Sequence, residues 1–172
     1  MRRGEPHYQI AQICTNGHVV KSTLESVGEA EGKYCERCGM QTITRCQNCK
    51  KPIQGEFYNP DIAVIGVHFP APPFCIYCGK PFPWTESGLR AAKEYAEELT
   101  NLSPEEKETL KKSIDDIVRD SARTNVAVIR FKRLVFKGGK EASDVLKSIL
   151  INLATQGAKD AIWGNQGPQP PT

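Results

Sequence analysis

The seven cysteines of this 172-residue chain all fall between Cys14 and Cys78, and with one histidine they form four close pairs. The pairs are Cys14-Thr-Asn-Gly-His18, Cys35-Glu-Arg-Cys38, Cys46-Gln-Asn-Cys49 and Cys75-Ile-Tyr-Cys78. A two-residue gap lets both thiolates of a Cys-x-x-Cys pair face one point, and four such donors close a tetrahedral Zn²⁺ site. Cys14, His18, Cys35, Cys38, Cys46, Cys49, Cys75 and Cys78 are therefore expected to hold two structural zinc ions per chain, one on three Cys and a His, one on four Cys. Glycine follows the second Cys at Gly39 and Gly79, where a positive φ aims backbone N–H groups at sulfur.

Other thiol chemistry fits less well. A thioredoxin-like site needs one such motif at a helix start within a βαβ unit, whereas this head repeats the motif and has no such pattern. A catalytic zinc keeps one position open for water, and here each site can close with four protein ligands. There is no Ser/His/Asp set, Walker loop or dinucleotide fingerprint. Asp115 and Asp116, adjacent on a helix, point about 100° apart and read as a solvated face rather than a carboxylate pair. The expectation is a protein that is not an enzyme and has no small-molecule substrate.

Which pairs share an ion depends on long-range structure. The head reads as a duplication in which an aromatic residue, Tyr34 or Phe74, precedes Cys-x-x-Cys-Gly, and this favours sequential ribbons. Cys14, His18, Cys35 and Cys38 would then bind one ion and the remaining four cysteines the other. A cross-brace joining the first pair to the third and the second to the fourth stays open. His68, in Val67-His-Phe-Pro70, reads as a strand surface residue, and His7 replaces His18 only if the Cys-x-x-x-His pair is accidental.

These donors need a scaffold, and the sequence divides to supply one. Residues 1–84 carry all the cysteines and eight of the twelve prolines, as expected of a small β-ribbon head too poor in apolar residues to fold without metal. From Thr85 the apolar spacing turns helical. A first helix capped by Thr85 places Leu89, Ala92, Ala96 and Leu99 on one face. Ser103-Pro104 with Glu106 is a capping box opening a second helix, which buries Leu110, Ile114, Ile117 and Val118. A third, capped by Asp120 or Ser121, buries Ala127, Phe131, Leu134 and Val135. Its β-branched content also suits a strand, but the 3.6-residue period favours helix. Phe131 and Phe136 are both expected to be committed to packing, which leaves no evident exposed aromatic for base stacking in that segment. After Gly138-Gly139, a long stripe from Ala142 through Val145, Leu146, Ile149, Leu150, Leu153, Ala154 and Ala158 to Ala161 predicts one fourth helix. The expected organisation is a double zinc ribbon at 1–84, an all-α helical domain at 85–163 and a disordered tail at 164–172, α+β overall.

Three stretches, Ile13-Cys-Thr-Asn-Gly-His-Val19, Tyr34-Cys-Glu-Arg-Cys-Gly39 and Cys75-Ile-Tyr-Cys-Gly-Lys-Pro-Phe-Pro-Trp-Thr85, resemble an uncharacterised bacterial double zinc-ribbon family with a helical C-terminal tail, a domain of unknown function. The likeness covers the head over about residues 8–85, and in the tail it centres on Arg130-Phe-Lys-Arg-Leu134. It implies the same eight ligands and no activity.

Charge is uneven along the chain. Residues 85–118 hold five basic and nine acidic side chains, and residues 119–140 seven basic and one acidic, a local +6 in a chain of net +3. Arg123, Arg130, Lys132, Arg133 and Lys137, together with Arg119 and Lys140, could meet nucleic acid, an anionic membrane surface, an acidic protein partner or the acidic helices of the same chain. An odd cysteine count without an apolar leader points to reduced thiols and a cytoplasmic protein. The leading expectation is a zinc-ribbon adaptor that binds a protein partner or self-associates. Nucleic-acid binding through residues 119–140 is the alternative, and a membrane-active tail using the Ile149 to Ile162 stripe and Trp163 is the second.

Overall fold

The computed structural model of the chain describes residues 5–61, 69–119, 121–154 and 156–164. The fold is α+β, a small antiparallel sheet followed by five helices, and it divides between Glu86 and Ser87 into two compact units. No helix among the described residues is long and apolar enough to cross a membrane.

In unit 1 the strand β1 (His7–Cys14) is the spine. β2 (Val19–Leu24) returns along one of its edges, with Ile13 opposite Val19. β3 (Thr42–Ile43) and β4 (Gln54–Tyr58) share the other edge, β3 at Ile13 and Cys14 and β4 from His7 to Ile10. The alternation of β1 buries Ala11 and Ile13 in a core with Ile53, Phe82, Trp84 and the thiols of Cys46 and Cys75. Gln12 is also fully buried, and its amide is satisfied. Its nitrogen donates to the carbonyls of Glu31 and Gly32 and to Thr42 Oγ1, and its oxygen accepts from the Glu31 N–H. Those bonds fix the segment that leads into Cys35.

The helix α1 (Pro83–Glu98) starts with proline in its first position, where the missing N–H costs nothing. Thr85, expected as its cap, lies inside the first turn instead. The Phe82 carbonyl accepts the N–H groups of Thr85 and Glu86, while the buried Thr85 hydroxyl donates to the Pro73 carbonyl at 2.8 Å. The helix thus begins one turn earlier because Pro83 presets its φ.

In unit 2, α2 (Pro104–Arg119) opens on the expected capping box: Ser103 Oγ accepts from the Glu106 N–H, and the Glu106 carboxylate accepts from the Ser103 N–H. Lys93 of α1 pairs with Asp115 of α2 at 2.7 Å, and Lys111 with Glu97. The segment open to a strand reading is helical, α3 (Thr124–Gly138), and buries Ala127, Val128, Phe131, Leu134 and Val135. Ser121 forms the turn before it, accepting from the Arg123 N–H, but Arg123 occupies the cap position. Asp120 lies outside the described residues.

Two expectations fail here. Phe131 is buried as expected, but Phe136 is not committed to packing; it is 88% exposed, because it projects about 100° away from Val135, off the buried face of α3. The single fourth helix is two, α4 (Lys140–Leu150) and α5 (Gln156–Trp163). Both the Leu153 and Ala154 N–H groups turn back to the Leu150 carbonyl, and burying Leu153 and Ala154 in that turn replaces continuation of the helix. Of the stripe assigned to a membrane, Leu150, Leu153, Ala154 and Ala158 lie in the core of unit 2, and Trp163 stands edge-on to Phe131 at 6.3 Å. Beyond Gly164 the expected tail lies outside the described residues, as does His68.

Candidate metal centres

The three Cys-x-x-Cys segments fold into one repeated knuckle. In each, the first Cys donates its N–H to a carbonyl five residues on: Cys35 to Met40, Cys46 to Lys51, Cys75 to Lys80. The residue four positions on, Gly39, Lys50 or Gly79, donates back to that Cys carbonyl with a φ of 69°, 62° and 67° respectively. A bridge closes each knuckle, Tyr34 with Gln41, Arg45 with Pro52 and Phe74 with Pro81. The fourth turn joins β1 to β2: Gly17 at φ 88° donates to the Cys14 carbonyl, and the His18 N–H donates to Cys14 Sγ at 3.2 Å. Glycine marks this left-handed position everywhere except Lys50.

Long-range pairing then brings the knuckles together sequentially. Donor atoms of Cys14, His18, Cys35 and Cys38 lie within 4.8 Å of one another, and so do those of Cys46, Cys49, Cys75 and Cys78. The cross-brace is not formed. β3 accounts for the grouping, because its pairing with the end of β1 sets Thr42 opposite Cys14 and so brings the second knuckle to the first turn. Thiol pairs stand 3.8 Å apart at Cys14–Cys38, 3.8 Å at Cys46–Cys78 and 3.6 Å at Cys49–Cys75, and His18 Nδ1 is 3.7 Å from Cys35 Sγ. A tetrahedron with metal–sulfur bonds of about 2.3 Å has edges of about 3.8 Å, so both donor sets fit a tetrahedral ion. A disulfide would need about 2.0 Å, and all seven cysteines are free.

Backbone donors tune the thiols. The Lys80 N–H, then the Asn48 side chain, bring Cys78 down to about 6. At Cys49 the Lys51 N–H pulls downward, but burial and the thiols of Cys75, Cys78 and Cys46 lift it to about 11. At Cys35 burial works upward, yet the N–H groups of Arg37 and Cys38 hold the thiol below its ordinary value. Burial raises Cys14 against the His18 and Asn16 N–H groups. Thiols in one cluster therefore hold protons unequally, and a divalent ion that binds them all as thiolates displaces those protons.

The residues that brace the second donor set carried part of the family resemblance in the sequence, but no structural role was read for them there. Trp84 donates Nε1–H to the Pro72 carbonyl at 2.9 Å and stacks on Phe82 at 4.7 Å, so the Pro-Phe-Pro-Trp-Thr run closes the core over Cys46 and Cys75. Its place directly after a knuckle was the available signal. His7 belongs to neither centre; its ring bonds Glu25 at 3.0 Å and the Glu5 carbonyl at 2.7 Å.

The basic residues stand apart from both donor sets in sequence and lie along α3. Lys137 pairs with Glu106 at 2.7 Å and Lys132 donates to the Ala161 carbonyl at 3.2 Å, while Arg123, Arg130 and Arg133 are exposed. The Lys137 ammonium, then the Ser103 N–H, hold the Glu106 carboxyl below the usual range, with Arg133 adding to the effect.

A protein-family profile described as "Uncharacterized protein conserved in bacteria (DUF2321)" matches residues 7–162. No curated protein and no solved structure matches the chain.

Proposed function

For this chain, which belongs to the bacterial family described as DUF2321, we propose a non-enzymatic adaptor: a double zinc ribbon that presents a metal-stapled surface to a protein partner in the reducing cytoplasm. The observation that carries this reading is closure. All eight donors are taken up in two four-ligand groups, which leaves no coordination position for water or substrate. Zn²⁺ is the ion that suits S₃N and S₄ tetrahedra without redox chemistry, and Cys14, His18, Cys35 and Cys38, then Cys46, Cys49, Cys75 and Cys78, would hold it. Bound there, the ion supplies folding energy rather than reactivity.

The partner surface follows from the knuckles. The tip of the last one sets Ile76 and Tyr77 into solvent, 63% and 57% exposed, on a turn whose backbone a bound ion would fix. Rigid apolar and aromatic side chains of this kind anchor protein interfaces at low entropic cost. The test begins with elemental analysis, for which two zinc ions per chain are expected. A partner captured by the loaded protein is then purified, and its affinity is measured by calorimetry. Ile76→Ser with Tyr77→Ser should weaken binding at least tenfold, as for interface anchors, while Arg130→Gln leaves it unchanged. A metal content below two, or equal affinity for both variants, overturns the reading.

A further inference from the structure

α3 carries a second apolar face. Val126, Ile129 and Phe136 stand on its solvent side, 47%, 69% and 88% exposed. Spacings of three and seven residues put them in one line, about 15 Å long at 1.5 Å per residue. The opposite side of the same helix already supplies the core through Ala127, Phe131, Leu134 and Val135. Scattered exposed apolar residues need no explanation, but three along one helix face do.

Cations surround that line. By helical position Arg133 falls within it, Arg130 and Lys137 on one flank and Lys132 on the other. No Asp or Glu occurs from Ser121 to Lys140. We propose that this face of α3 docks on an anionic phospholipid bilayer, with Ile129 and Phe136 entering the boundary between headgroups and acyl chains and Arg130 and Arg133 meeting lipid phosphates. The proposal does not depend on the adaptor reading or on the knuckle surface.

The charge pattern selects this occupant. A nucleic acid would take the cations but leave the apolar line in water. Two copies meeting through α3 would oppose arginine to arginine. A protein partner is normally held in register by charges of both signs, whereas every charged side chain that α3 itself sets about the projecting Phe136 is basic, and the acid beside them, Glu106 of α2, is already paired with Lys137. A sheet of anionic headgroups accepts cations in any register and offers hydrocarbon beneath them.

The test is co-sedimentation of the zinc-loaded full chain with vesicles of phosphatidylcholine alone or mixed with phosphatidylserine. Binding is expected to the mixed vesicles and to fall as salt rises. Phe136→Ser should lower partitioning about tenfold, and Arg130→Gln with Arg133→Gln about fivefold per cation removed. Because these side chains are exposed, each variant should keep the wild-type circular-dichroism spectrum. Absence of binding to the mixed vesicles overturns the proposal, as does binding that Phe136→Ser leaves intact. Preference for duplex DNA over vesicles in direct competition, or a dimer that Phe136→Ser abolishes, overturns it equally.

Discussion

Gly17 packs directly against Trp84: a Cβ placed on Gly17 would sit 3.0 Å from Trp84 Cβ and 3.2 Å from Cγ. Gly17 belongs to the turn that holds Cys14 and His18, and Trp84 belongs to the core that includes Cys46 and Cys75. The two candidate metal centres of unit 1 therefore share a packed boundary, and the glycine is required there by both space and its φ of 88°.

Gly17→Ala should cost about 1–3 kcal/mol through strain and overpacking. The measurement is urea unfolding of the zinc-loaded protein, followed by Trp84 fluorescence in a Trp163→Phe background. A midpoint equal to that of the parent would show that the contact is slack.

Cys38→Ser leaves the first centre with three donors, and the variant should retain one zinc per chain rather than two. Structural zinc contributes on the order of 10–16 kcal/mol in small zinc-finger peptides, so unit 1 should be severely destabilised. The helices α2 to α5 lie within unit 2, so the far-UV helical signal should largely persist. Loss of that signal together with the metal would show that the two units fold as one.

Lys50 is the one non-glycine residue with positive φ among the described residues, at 62°. Its counterparts in the other knuckles are Gly39 and Gly79. Lys50→Gly should stabilise the loaded protein by about 1 kcal/mol, because an L side chain in the left-handed region costs about 1–2 kcal/mol. The gain should appear as a higher urea midpoint; a lower one would mean that the Lys50 side chain, which donates to the Gln47 carbonyl at 2.6 Å, outweighs the strain.

Glu106 gives unit 2 a pH dependence of known sign. Lys137 and the Ser103 N–H hold its folded-state carboxyl below the unfolded value, so its stabilisation is present above the ordinary carboxylate range and is lost as pH falls through the folded value. Glu106→Gln keeps an acceptor for the Ser103 N–H but loses the charge. Thermal unfolding of the helical signal should therefore separate parent and variant near pH 7 and bring them together near about pH 3. A constant difference across that window would exclude the ion pair as the cause.

The ligand set was legible in the sequence because a knuckle is local: two thiols, a two-residue gap and a left-handed residue are specified within about six positions. Gly39 and Gly79 announced that conformation, whereas Lys50 could not, since lysine has no preference for it and only the knuckle's own hydrogen bonds hold it there. The capping box at Ser103 and Glu106 was legible for the same reason. The sequential grouping of the four turns was decided by strand pairing, which sets Thr42 opposite Cys14 across 28 residues of chain. The division of the last stripe into α4 and α5, and the exposure of Phe136, were also tertiary decisions. An apolar residue records that it can be buried, but which helix face meets a neighbour depends on where that neighbour lies, and α3 was already filled on its other side.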